Sequence, residues 1–190
     1  EEDPHSTSLR HGYGADEIDL DETTIRNARR AYYGSISDID DKVADVMNTL
    51  QEAGMADNTI IIFTGDHGDM LGERGMWFKM SYFEHSARIP LIIHAPSMFS
   101  PCRVAEAVSL VDILPTLVEL SQDGKPGDYA TPIEGRSLVP HMSAGGGHDE
   151  VIGEYFAEGG DMPVFMIRRG QKKIIASNGR PAQYYDLAND

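Results

Sequence analysis

The sequence has little cysteine, little positive charge and no long apolar run. Among its 190 residues there is one cysteine, Cys102, which rules out an internal disulfide framework and fits a reducing cytoplasm better than an oxidising compartment. No apolar stretch approaches the roughly 20 residues that span a bilayer, so no membrane partner is expected. Sixteen Lys and Arg stand against 31 Asp and Glu, a net charge of -15. With no basic patch to neutralise phosphates, nucleic acid is not an expected partner. A polyanionic substrate would be repelled at long range, a small or zwitterionic one much less. Repeats are missing too, and the triple glycine at 145–147 is the one low-complexity patch. The chain opens at Glu1 without a methionine or a signal-like segment and stops at "YYDLAND". It therefore reads as a fragment, whose opening carries no information on export.

What is present is ordinary globular sequence, 41% hydrophobic and 25% charged, enough for a sizeable core. Residues 1–20 are polar and turn-rich and read as loop. Thr23 or Thr24 is expected to cap a helix of roughly 30 residues. Its apolar stripe is Ile25, Tyr32, Ile39 and Val46, with Ala28, Ile36, Val43 and Leu50 beside it, and Gly54 suits its C-terminal stop. "NTIIIFT" and "RIPLIIHAP" read as strands buried on both faces, the mark of a parallel sheet. "VDILPTLVELS", at 111–121, reads as a second helix. Beyond it, "EVIGEYFAEG", "VFMIRRG" and "KKIIASNG" look like hairpin strands. The expectation is an α/β fold with a mostly parallel sheet flanked by helices in residues 1–121. Residues 122–190 are expected to form a smaller antiparallel layer.

Chemistry concentrates at "TGDHGDMLGERGMWFK". In open α/β sheets, ligands bind beyond the carboxyl ends of strands, and Asp66 and His67 follow such an end. A carboxylate beside an imidazole suits Ca²⁺, Mg²⁺ or Mn²⁺ better than a thiolate-bound metal. Gly65 and Gly68 let the backbone turn so that both side chains can face one point. Lys79 adds a compact cation for an anionic oxygen. The plainer alternative is a turn, with Asp capping and His hydrogen-bonded. By default Trp77 is a packing residue and Glu73–Arg74 an exposed pair.

The longer segment "GDHGDMLGERGMWFKMSYFEHSARIPLIIHAP" closely resembles the sulfatase family of the alkaline phosphatase superfamily. Asp66, His67, Gly68, Leu71, Gly72, Glu73, Gly75, Trp77, Lys79, Arg88, Pro90 and Leu91 carry the likeness. "RRAYYGSISDIDDKV", "SLVDILPTLVEL" and "EGRSLVP" extend it over nearly the whole chain. Within the family, "EEDPHS", "WFKM" and "GEYFAEG" look most like choline-sulfatases. The resemblance implies hydrolysis of a small-molecule sulfate ester, choline sulfate, to choline and sulfate. It makes Asp66 and His67 ligands of a divalent metal, Ca²⁺ ahead of Mn²⁺ or Mg²⁺, and Lys79 the sulfate anchor. It matches Glu158 to the acid facing the choline ammonium, with Glu154 as the nearest competitor. A bacterial cytoplasm rather than a periplasm is implied, and a homo-oligomer is a form the resemblance allows.

The same resemblance exposes a gap. Such sulfatases attack with a formylglycine made in Cys/Ser-x-Pro-x-Arg, and these residues lack that motif. Cys102 stands in "PCRVAE", with Val104 where proline is needed and Glu106 where arginine is, so its role is packing or loop. His5, His11, His85 and His94 receive no catalytic role. The 190 residues alone are expected to be inactive. Two other readings stay open: a phosphonate or phosphate ester hydrolase of the same superfamily, and a non-catalytic metal-binding or structural module.

Overall fold

The computed structural model describes residues 3–143, 146–156, 160 and 162–190. These form two compact units, the first built mainly from the chain up to Met98 and the second from Phe99 onward.

The first unit opens with a helix where the sequence reading expects loop: α1, Pro4–Gly12. Asp3 caps it, accepting from the Ser6 amide, and Pro4 occupies a position whose amide would go unused. Its polarity conceals it, because the helix buries little beyond His5, Ser6 and Leu9. The long helix α2 spans Glu22–Glu52. Its cap is Asp21, not a threonine; the Asp21 carboxylate accepts from the Thr24 amide at 2.7 Å. Gly54, just past the end, is left-handed at φ 67°. The apolar stripe is covered at Ile25, Ala28, Tyr32, Val43 and Leu50 and open at Ile36, Ile39 and Val46.

β1 (Ile61–Thr64) and β4 (Leu91–His94) pair antiparallel, Ile61 opposite His94 and Thr64 opposite Leu91. This corrects the expected parallel sheet; every strand pairing among the described residues is antiparallel. A parallel partner needs a crossover helix. Residues 65–90 hold only the two-residue strands β2 (Met70–Leu71) and β3 (Trp77–Phe78), a 3₁₀ turn and the single-turn helix α3 (Glu84–Ala87). The chain therefore doubles back beside β1. Unbroken β-branched sequence reports strand and leaves direction open; nor are both faces buried among the described residues, since β1 is half-buried throughout and β4 alternates, with Ile92 59% exposed.

In the second unit, α4 (Ile113–Ser121) follows a 3₁₀ turn whose Ser109 and Asp112 cap each other reciprocally. The short α5 is Val139–Met142. The expected antiparallel layer is a four-stranded sheet in sequence order: β5 (Glu150–Tyr155), β6 (Val164–Arg169), β7 (Lys172–Ser177) and β8 (Gln183–Asp186). Strand alternation gives it a buried face holding Val164, Met166 and Ile175 and an open one where Ile152, Ile167, Ile174 and Tyr184 lie in register. No helix is long and apolar enough to cross a membrane among the described residues.

Candidate functional site

The loop from Gly65 to Lys79 is gripped from α2. Arg29 donates through Nε to the Leu71 carbonyl and through Nη2 to Glu73, both at 2.9 Å. Glu73 in turn accepts from the Leu71 amide at 2.6 Å. Burial works to raise the Glu73 pKa, but the Leu71 amide, with Arg29 nearby, holds it below the ordinary value. Glu73 and Arg74 are thus no exposed pair: Glu73 belongs to Arg29, and the Arg74 guanidinium lies 4.3 Å from the Phe83 ring centroid. One helical turn beyond Arg29, the Tyr32 hydroxyl donates to Asp69 at 2.9 Å. Burial first, then the Asp69 carboxylate, raises the Tyr32 pKa.

The other side of the loop rests on backbone. The Gly68 amide donates to Ser86 O at 2.8 Å, and a Cβ on Gly68 would lie 2.1 Å from the His85 carbonyl. Only glycine fits there. The Lys79 carbonyl accepts from the Ser86 hydroxyl and from the Ser81 amide. His5 contacts the Met80 carbonyl at 3.0 Å.

Within this frame, Asp66, His67 and Lys79 converge. His67 Nδ1 lies 2.9 Å from Gly68 O, an acceptor only, so Nδ1 carries the proton. That leaves Nε2 with a lone pair, which accepts from Lys79 Nζ at 3.1 Å. Asp66 Oδ2 lies 3.4 Å from the same nitrogen. The Lys79 ammonium is thus the cation already beside the imidazole, with the Asp66 carboxylate at the edge of the same contact. An imidazole fixed by a backbone carbonyl on Nδ1 is also the form that ligates metals through Nε2. The Asp66 carboxylate is 85% exposed, its Oδ1 accepting from the His67 amide at 3.0 Å. The pair therefore fits one side of a divalent-cation site. Among the described residues no three or more His, Cys, Asp and Glu side chains are grouped to hold an ion, so this is a side and not a whole site.

Glu158 lies outside the described residues. Glu154 lies in β5 of the second unit, exposed, in register with Phe165. His94 is exposed at the end of β4, and Cys102 is an exposed free thiol. Sequence reasoning missed Arg29 and Tyr32 as the loop's supports. A signal existed, since they sit three apart on the face of the α2 stripe.

The sulfatase family model matches residues 2–123. The chain belongs to the sulfatase family. It is 40% identical over its full length to the choline-sulfatase of Rhizobium meliloti (strain 1021), covering 37% of that protein. Among solved structures, a 2-O GAG sulfatase superposes over 99% of this chain and 42% of its own, with a TM-score of 0.85 at 22% identity, a likeness of fold. The phosphonate monoester hydrolase of Agrobacterium radiobacter superposes with a TM-score of 0.78 at 27% identity, over 90% of this chain and 37% of its own. The chain thus spans well under half the length of these sulfatase-fold relatives. Sulfatase-family enzymes generally use a divalent metal ion, and Asp66 and His67 offer donors of the right kind for one.

Proposed function

We propose that this chain is part of a sulfate ester hydrolase acting on choline sulfate. The observation that carries the reading is the convergence of Lys79, His67 and Asp66 beyond β1, in a chain 40% identical along its whole length to a choline-sulfatase. Asp66 and His67 would hold the divalent ion, Ca²⁺ in the first place because the exposed donor is a hard carboxylate oxygen. Bound there, the ion would supply Lewis-acid polarisation of a sulfate oxygen. Lys79 balances the sulfate charge with an ammonium already placed at the site. Glu158, which lies outside the described residues, would by the family resemblance be the acid for the choline ammonium, which cannot donate a hydrogen bond and is held by charge and aromatic faces. The attacking group is not among these residues, which lack Cys/Ser-x-Pro-x-Arg. Turnover therefore belongs to the full-length protein.

The second reading, a phosphonate monoester hydrolase, is favoured by the structural likeness at 27% identity. Sulfate release from choline sulfate and product release from a phosphonate monoester, measured side by side on the full-length protein, separate the two. The reading expects faster turnover of choline sulfate, and loss of it in Lys79→Ala and His67→Ala. Faster turnover of the phosphonate would replace it with the second reading. Sulfate release above background from the 190 residues alone would overturn the assignment of the attacking group elsewhere.

A further inference from the structure

Tyr32 and Tyr33 are neighbours on α2 with opposite fates. The Tyr33 ring is exposed, whereas the Tyr32 hydroxyl donates to Asp69 Oδ2 at 2.9 Å. Burial and the Asp69 carboxylate together hold the Tyr32 pKa above its ordinary value, so the hydroxyl keeps the proton it donates. A ring that only packed against the loop would need no hydroxyl, and phenylalanine would serve. Here the hydroxyl is committed to one carboxylate, and that carboxylate stands two positions from His67.

The bond falls at a particular peptide. From one side, residues 85–86 fix Gly68, whose amide donates to Ser86 O at 2.8 Å and which has no room for a Cβ. From the other side, α2 takes Asp69 through Tyr32, and Leu71 and Glu73 through Arg29. The Gly68–Asp69 peptide lies where the two holds meet. Its carbonyl is Gly68 O, and that is the oxygen 2.9 Å from His67 Nδ1. Whatever orients this peptide therefore orients the imidazole. Met70, next in the chain, is buried, while Asp66 is exposed and His67 half-buried. The two residues before the peptide thus depend on it for direction more than those after it.

We propose that Tyr32 is a positioning residue for the metal side of the site: by holding Asp69 it fixes the peptide whose carbonyl fixes the His67 imidazole. The carbonyl on Nδ1 sets both the tautomer and the direction in which Nε2 presents its lone pair. Without the hydroxyl, Asp69 loses its tie to α2 and the peptide is held from the Ser86 side alone. The inference rests on the reading of Asp66 and His67 as ligands of a divalent ion, and adds to it a residue from a different element of the fold.

The test measures Ca²⁺ and Mn²⁺ binding by calorimetry on the full-length protein, at a temperature where every variant is folded. Tyr32→Phe keeps the ring and removes only the hydroxyl. It should bind the ion about tenfold more weakly, the lower end of what an outer partner of a metal ligand contributes. Asp69→Ala should lose about as much, and Tyr32→Phe should add nothing on top of it. Tyr33→Phe should match the wild type. With choline sulfate, Tyr32→Phe should lower kcat and leave KM in place, because the Lys79 carbonyl has its own hold in Ser81 and Ser86. A wild type that binds neither ion, or binding undiminished in His67→Ala, overturns the metal reading and this inference together. Binding weakened in His67→Ala but kept in Tyr32→Phe overturns the role of Tyr32 alone. Additive losses in the double variant, or a raised KM with kcat unchanged, overturn it as well.

Discussion

Two histidine–aspartate pairs in this molecule are built to opposite ends. In the first unit, His67 and Asp66 meet at 3.4 Å with the carboxylate 85% exposed and the imidazole lone pair facing it. In the second unit, His148 Nε2 meets Asp112 at 3.0 Å with the two side chains 8% and 4% exposed. The Asp112 carboxylate also accepts from the Ser109 and Arg136 amides, both at 2.8 Å. The buried pair has spent its hydrogen-bonding capacity on the fold, tying the start of α4 to residues 136 and 148. The exposed pair has its own partners, Lys79 Nζ on the imidazole and the His67 amide on Asp66 Oδ1, but leaves the rest of the carboxylate to solvent. The same two residue types, then, do not announce a site. What separates the cases is whether acceptor valence is left over and whether solvent reaches it.

Breaking the buried pair should have the largest effect. Asp112→Ala leaves two part-buried amides and a buried imidazole without their acceptor, and should cost about 3 kcal/mol in urea unfolding. A loss below 1 kcal/mol would erase the contrast. Next comes Gly68→Ala, where the new Cβ meets the His85 carbonyl at 2.1 Å. Backbone must shift, at a cost of about 1–3 kcal/mol. Arg29→Ala removes both donors to the loop, but the side chain is 41% exposed, so about 1 kcal/mol is expected. Lower metal affinity, read by calorimetry on the full-length protein, should accompany it.

Smaller still is a pH effect at His141, whose ring stands 4.9 Å from that of His148. Both of its nitrogens are buried without a hydrogen-bond partner among the described residues. Burial, then the neighbouring His148, lowers its pKa from the ordinary 6.5, against a partial pull from Glu106, Asp112 and Asp149. The unfolded chain therefore binds the proton more readily than the folded one. This contribution is intact above pH 6.5 and is lost as the pH falls from there towards the lower folded value. His141→Leu should flatten that limb of the stability profile; an unchanged slope would assign it to other groups. The smallest effect belongs to Asp66→Asn, which should leave unfolding within about 0.5 kcal/mol of the wild type while weakening metal binding.

How much of this was legible follows from how local the signal is. The loop at 65–79 could be read because its chemistry is contiguous, with a strand before it and glycines where the turn is tight. The long helix and the three strands at 150–155, 164–169 and 172–177 carried clear periodicity. The pairing direction of β1 and β4 did not show, because both faces are apolar in either arrangement. α1 did not show, because a helix that hides three residues has no stripe. β8, at Gln183–Asp186, is four residues long and follows a turn with no apolar alternation. The buried pair in the second unit was out of reach, with 36 positions between its members. Nor could composition predict that Phe78 would adopt a left-handed backbone, which glycine adopts more easily.

The grip of α2 on the loop also bears on how natural variation in this molecule would read. Arg29 lies 42 positions before the carbonyl it holds, and Tyr32 lies 37 before Asp69. A mutational screen scored by activity would place hits in the middle of a long surface helix, where an examiner of the sequence would expect tolerance. Those hits would follow a spacing of three along one face and fade beyond it, tracing the outline of the 65–79 loop onto the helix that holds it.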